Sequence, residues 1–260
     1  FILGMKAAGF ISNKLINSQM TMDFAYTLYL LLNNDTTIER SQTKHYVAKW
    51  FVMSTLTSRY TGSPETQMDF DIKRIREKGF LPFFQEVEEA NLSDTFWNVR
   101  LVQLLETQVI NSPFFNVFLA AQIYKGNNAL FCNGTKVGYL ITLIGDVHHI
   151  FPKQYLRNNG YNEKIQYNQI ANFTYLDTQV NKDISDAAPN VYFTNAIKQC
   201  EEGNARYGNI TDLNCLKTNM AENCIPEQIV DMDYSDYPDF LIARRKLMAA
   251  KIKDYYYSLY

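Results

Sequence analysis

Histidine is scarce in this chain: it occurs three times in 260 residues, at positions 45, 148 and 149. Cysteine occurs four times, at 132, 200, 215 and 224, and no two form a C-x-x-C pair. That spacing argues against a zinc ribbon, and scattered thiols of this kind read as reduced cysteines of a cytoplasmic protein. Glycine and proline number only 11 and 7 while hydrophobic residues make up 47%, so the chain is neither disordered nor collagen-like. The longest apolar run, around Phe24 to Leu32, falls far short of the ~20 residues that a membrane-spanning helix needs. No membrane partner is expected. The net charge is −2, so no global field draws the chain to nucleic acid, and any DNA site must be a local patch. A phosphate-cradling G-x-x-x-x-G-K-[ST] loop is also missing. The N-x-[ST] triplets, such as that at Asn133, carry no weight without a signal peptide.

What is present is a run of helical signals. "LINSQMTMDFAYTLYLLL" carries an apolar helical stripe and stops at "NNDTT". "TKHYVAKWFVMSTLTSRY" predicts a second helix. "SPETQMDFDIKRIREKG" has Ser63 as cap, Pro64 at the first helical position, Glu65 in the first turn and Gly79 as stop. "SDTFWNVRLVQLLETQ" and "SPFFNVFLAAQIYKG" repeat the pattern. The character then changes. "NALFCNGTKVGYLITLIG" combines a turn at Asn133-Gly134 with a β-like run, and "FTYL" at 173–176 reads as a strand. "APNVYFTNAIKQC" and "YPDFLIARRKLMAAKIKDYYYSLY" return to helix. The expected fold is therefore mainly α with a small α+β insert. Its expected segments are a helical domain at 1–127, the insert at 128–200, and a C-terminal helical segment at 201–260 that packs on the first.

Chemistry concentrates in "GDVHHIFPKQYL". A neutral imidazole can ligate a divalent metal, and a second can deprotonate water, because its unperturbed pKa lies near ~6.5. Strict strand alternation sends adjacent residues to opposite faces, so His148 and His149 share a site only where the backbone twists. Downstream, "IANFTYLDTQVNKDIS" supplies Asn172 and Asn181 on either side of the strand-like "FTYL". An asparagine carbonyl is a hard ligand suited to Mg²⁺ or Mn²⁺.

"DVHHIFP" followed by "NQIANFTYLDTQVNKDIS" resembles the HNH, or ββα-metal, nuclease motif. The nuclease domain of RNA-guided CRISPR effectors carries a similar D-V-D-H-I-V-P run with two asparagines nine residues apart, the separation of Asn172 and Asn181 here. The resemblance implies that His148 ligates a divalent metal, Mg²⁺ or Mn²⁺ with Ni²⁺ as a substitute, and that His149 is the general base. It implies that Asn172 braces the hairpin and Asn181 is the second protein ligand. Asp146 would orient a histidine ring, and Lys153, Arg157 and Lys182 would meet DNA phosphates. The ligand position holds His148 where the CRISPR run has Asp. More loosely, "KWFVMSTLTSRYTGSPETQMDFDIKRI" and "FLIARRKLMAAKI" are similar to the helical C-terminal region of GmrSD-like proteins, which are modification-dependent restriction and phage-defence nucleases.

The implied function is metal-dependent hydrolysis of DNA, including modified phage DNA, with targeting from an N-terminal nucleotide-hydrolysing sensor or from a homodimer. The chain opens with "FILGMKAAGF" and no initiator methionine, and so reads as the C-terminal part of a longer polypeptide. Two alternatives stand beside it: a non-catalytic helical module that binds DNA or protein and carries a relic HNH unit, and an HNH nuclease that cleaves RNA. Individual residues also have plainer readings. His148 and His149 could be satisfied polar groups at a strand end, Asp146 a turn or cap residue, and Asn181 a helix N-cap. "ARRK" at 243–246 reads as a solvated helix face, with a DNA grip as the alternative. The aspartates of "DMDYSDYPDF" read as charge gathered at a helix N-terminus.

Overall fold

The computed structural model describes residues 1–143 and 147–259. The chain is mainly helical. Its strands, among the described residues, are β1 (His148–His149) and β2 (Phe173–Thr174).

Two compact units divide the chain. The first comprises Phe1–Leu104, Asn111–Ala121 and Ile252–Tyr260; the second comprises Leu105–Ile110 and Gln122–Lys251. Residues 201–251 thus belong to the unit that contains the histidine pair.

In the first unit, helix Gln19–Asn33 starts at Ser18, whose hydroxyl accepts the Thr21 N–H at 3.2 Å. Phe24, Ala25, Leu28 and Leu32 form its buried stripe, and it packs on helix Arg40–Thr57. Helix Pro64–Lys78 begins after Ser63 and ends at Gly79, whose φ of 83° is open to glycine and strained for other residues. Around the buried Trp50 indole gather Phe24, Phe80, Phe83 and Phe84. Sealed beside them is a polar cluster. Arg59 forks onto Asp71, with Nε to Oδ2 at 2.8 Å, and the Tyr60 hydroxyl donates to the same oxygen at 2.8 Å. Trp50 Nε1 donates to Tyr60 Oη at 2.9 Å, and Gln67 Nε2 donates to Asp71 Oδ1 at 2.9 Å. The stretch "SRYTGS" is therefore structural here.

The second unit holds short helices around the strands. The run after Asn133-Gly134 forms a helix, Val137–Leu143, where its composition suggested a strand. Val137, Leu140 and Ile141 are buried along that helix, so burial of one face overrode local propensity. The stretch 157–168, polar in sequence, holds the end of helix Lys153–Asn158 and all of helix Lys164–Tyr167. Helix Pro189–Glu202 has its proline at the first position and lies against helix Leu213–Glu222. Helix Tyr237–Ser258 carries Asp239 in its first turn, after a capping box between Asp233 and Asp236. "ARRK" departs from its expected reading. Arg244 and Arg245 are buried, at 1% and 7% exposure, so these two arginines form neither a solvated face nor a surface for DNA, while Lys246 is exposed.

Candidate functional site

β1 and β2 pair antiparallel, with His148 opposite Thr174 and His149 opposite Phe173. The ladder continues one residue further, where the Ile150 N–H meets the Asn172 carbonyl at 2.8 Å. Four residues after Thr174 begins helix Thr178–Ile184. Its cap is Asp177, whose carboxylate takes the Gln179 N–H at 2.8 Å. Asn181 therefore lies inside the helix and is not its N-cap. The order is strand, excursion, strand, helix.

So short a pair of strands is marginal without other support. Asn172 supplies much of it. This side chain is fully buried. Its Oδ1 accepts the Phe151 N–H at 2.8 Å, and its Nδ2 donates to the carbonyls of Phe151 at 3.1 Å and Tyr167 at 3.2 Å. One amide thus ties the exit of β1 to the approach of β2. Three further residues hold the same backbone. Tyr192 donates its hydroxyl to the Ile150 carbonyl at 2.6 Å. Tyr237 donates to the carbonyls of Gln166 at 3.1 Å and Tyr167 at 3.3 Å. Arg244 Nη1 donates to the carbonyls of Ala171 at 2.8 Å and Phe173 at 2.7 Å, and Nη2 to that of Asn223 at 3.2 Å.

His149 is half-buried and its ring is boxed in. Phe173 meets it nearly edge-on, with centroids 5.1 Å apart at 83°, and Tyr167 lies at 6.3 Å. Its Nε2 is 2.9 Å from Asn168 Oδ1. Burial holds the imidazole pKa below its ordinary 6.5; the Asn168 bond opposes this, and the nearby charges of Lys153 and His148 add to it. The ring is then neutral near pH 7, the state in which it can accept a proton. Lys153 Nζ sits 5.3 Å from the centre of the Tyr167 ring.

His148 and Asn181 are both half-buried, while Lys153, Arg157 and Lys182 are exposed. Lys153 and Arg157 share helix Lys153–Asn158, directly after β1, and Lys182 follows Asn181. Asp146 lies outside the described residues. Among the described residues no three His, Cys, Asp or Glu side chains cluster as a metal cage would require. The remaining donor set is one imidazole and one amide oxygen. That set does not fit a structural zinc site. One imidazole and one amide oxygen are donor types that a weakly held hard cation would accept, with water or phosphate completing its shell.

Sequence reasoning missed Asn168, Tyr192, Tyr237 and Arg244. Nothing local marks the first three. Arg244 was visible as a charge, but its burial depends on a strand some 70 residues earlier in the chain.

No family model matches the chain, and no solved structure matches it. It is similar to an uncharacterized protein, MJ0686, of Methanocaldococcus jannaschii, at 29% identity over 157 residues. That stretch is 58% of this chain and 25% of the archaeal protein, so the chain spans about a quarter of its relative. No helix among the described residues is long and apolar enough to cross a membrane.

Proposed function

We propose that this chain is the nuclease part of a metal-dependent HNH endonuclease that hydrolyses DNA phosphodiester bonds, within a modification-dependent restriction or anti-phage defence protein. One observation carries the reading. A neutral, half-buried imidazole at His149 stands on a minimal antiparallel hairpin that the Asn172 amide locks from behind, with a helix bearing Asn181 directly after it. The His149 ring is held by Asn168 and packed on Phe173 and Tyr167, and a proton acceptor needs such a rigid, partly dry mount.

In this mechanism His149 takes a proton from a water poised in line with the scissile phosphate. The water oxygen bonds to phosphorus, and the bond from phosphorus to the 3′ oxygen breaks. A second water returns a proton to the leaving 3′ oxygen. A Mg²⁺ or Mn²⁺ ion held by His148 and Asn181 would supply positive charge against the phosphate as negative charge builds. Lys153, Arg157 and Lys182 meet the DNA backbone as exposed cations. A cytoplasmic setting and a sensor domain elsewhere in the full protein complete the proposal; modification specificity resides in that sensor.

The test is plasmid nicking with Mg²⁺, Mn²⁺ or Ni²⁺. We expect slow cleavage, abolished by EDTA, with no preference for modified DNA, and a loss of roughly 10²–10⁴-fold in single-turnover rate for His149→Ala. That variant keeps fold and metal binding. Asn181→Ala and His148→Ala are partly rescued by high metal concentration. Wild-type cleavage by His149→Ala sinks the mechanism. RNA cut in preference to DNA replaces the substrate, and no cleavage of either leaves a binding module.

A further inference from the structure

We propose that Asn168 is a positioning residue that fixes the tautomer of His149. Its side-chain oxygen receives the Nε2 proton, so Nδ1 carries the lone pair that accepts the proton of water. The inference deepens the nuclease reading and names the basic atom within it.

An imidazole offers two different nitrogens, and only the one without hydrogen can act as a base. In solution the proton exchanges between them, so a base with a fixed direction needs a partner that holds one nitrogen. Asn168 Oδ1 lies 2.9 Å from His149 Nε2, a full hydrogen bond. An amide oxygen can accept and cannot donate, so with Oδ1 facing the ring the contact calls for a proton on Nε2. The aromatic rings of Phe173 and Tyr167 restrict the imidazole plane and leave the Asn168 contact to set which nitrogen points out.

Asn168 is itself held, through the residues around it. It closes helix Lys164–Tyr167, and its N–H bonds the Lys164 carbonyl at 3.0 Å. That helix opens with a capping box between Glu163 and Gln166. The carbonyl of the preceding residue, Tyr167, accepts from both Asn172 Nδ2 and the Tyr237 hydroxyl. Asn172 therefore does two things. It ties β1 to the segment before β2, and it fixes residue 167, next to the asparagine that holds the imidazole. His149 on one arm and Asn168 on the other keep their spacing because the same amide binds both arms.

The tautomer is read by ¹⁵N NMR of the histidine rings at a pH where His149 is neutral, without DNA or metal. The wild-type chain should show Nε2 protonated and Nδ1 bare. Asn168→Asp keeps an acceptor oxygen and should keep that pattern. Asn168→Leu removes the acceptor and should give a mixture of tautomers. Melting temperature and backbone spectra of both variants report folding. Single-turnover cleavage should fall about 10–100-fold in Asn168→Leu and recover largely in Asn168→Asp. Protonated Nδ1 in the wild type overturns the inference, whatever the variants do. So does an unchanged tautomer in folded Asn168→Leu, or a lost one in folded Asn168→Asp. If the tautomers behave as stated but the wild type cuts no nucleic acid, the nuclease reading falls and the assignment of the ring stands.

Discussion

The two units bury polar groups in different ways. In the first, opposite charges meet. Asp71, with no exposed surface, takes Arg59, Tyr60 and Gln67, and the buried Lys49 ammonium sits 3.0 Å from Glu88. In the second, around the hairpin, the bonds run from neutral amides, tyrosines and one guanidinium to backbone carbonyls. Arg244 is the extreme case. It is buried and hydrogen-bonded to three carbonyls, and desolvation pulls its pKa down to about 10. Charge pairs stabilise an already extensive helical core. Carbonyl clamps instead replace the ladder that two-residue strands cannot provide. Stability should therefore separate from activity in the first unit and move with it in the second.

The largest expected effect breaks the first unit's pair. Asp71→Ala strands a guanidinium, a phenol and an amide that now share one carboxylate. The expected loss is about 3–5 kcal/mol. Both tryptophans, Trp50 and Trp97, lie in that unit, so fluorescence follows it selectively. Cleavage per folded molecule should stay near wild type. A shift too small to measure would mean that the network contributes little.

Next come the clamps. Arg244→Met leaves the carbonyls of Ala171, Phe173 and Asn223 unmet, at ~1–3 kcal/mol each, and also removes a costly buried cation. The net loss should be roughly 2–3 kcal/mol. Asn172→Ala should cost about 1–3 kcal/mol. In both variants cleavage should fall together with stability, and the His148 and His149 ring signals should move. Normal cleavage by folded Arg244→Met would show that the clamp serves packing alone.

These contrasts also mark what was legible in the sequence. Helix starts were, where a cap is local: Ser63 and Pro189 stand where their helices begin, whereas the helix expected from Leu15 starts at Gln19, after Ser18. The placement of "FTYL" as a strand was legible too, though only Phe173 and Thr174 pair. Helix Val137–Leu143 was not, since β-branched residues served one buried helical face. At the site, the order of histidine pair, Asn172, second strand and helix followed the motif. The amide partner at 168 and the cation behind β2 did not, because both depend on where distant chain segments return.

The smallest effect uses pH to sharpen the comparison. His149 and His45 both lie below the ordinary histidine value of 6.5, in each case first through burial. His149 is the more enclosed of the two, so its effect should dominate. Above pH 6.5 both folded and unfolded chains carry it neutral, and stability is unaffected. As pH falls through 6.5 the unfolded chain takes up the proton first, and the folded second unit loses stability. The loss stops once pH passes below the folded value, where both states are charged. Urea unfolding followed through the histidine ring signals should show a lower midpoint at about pH 5.5 than at about pH 7.5. His149→Gln should flatten this dependence, and His45→Gln should alter it little. The acid limb of the cleavage profile should likewise lie below 6.5, because the buried ring holds its neutral form to lower pH. A midpoint that rises on acidification would mean that the folded ring gains a partner for its charge, contrary to its burial against Phe173 and Tyr167.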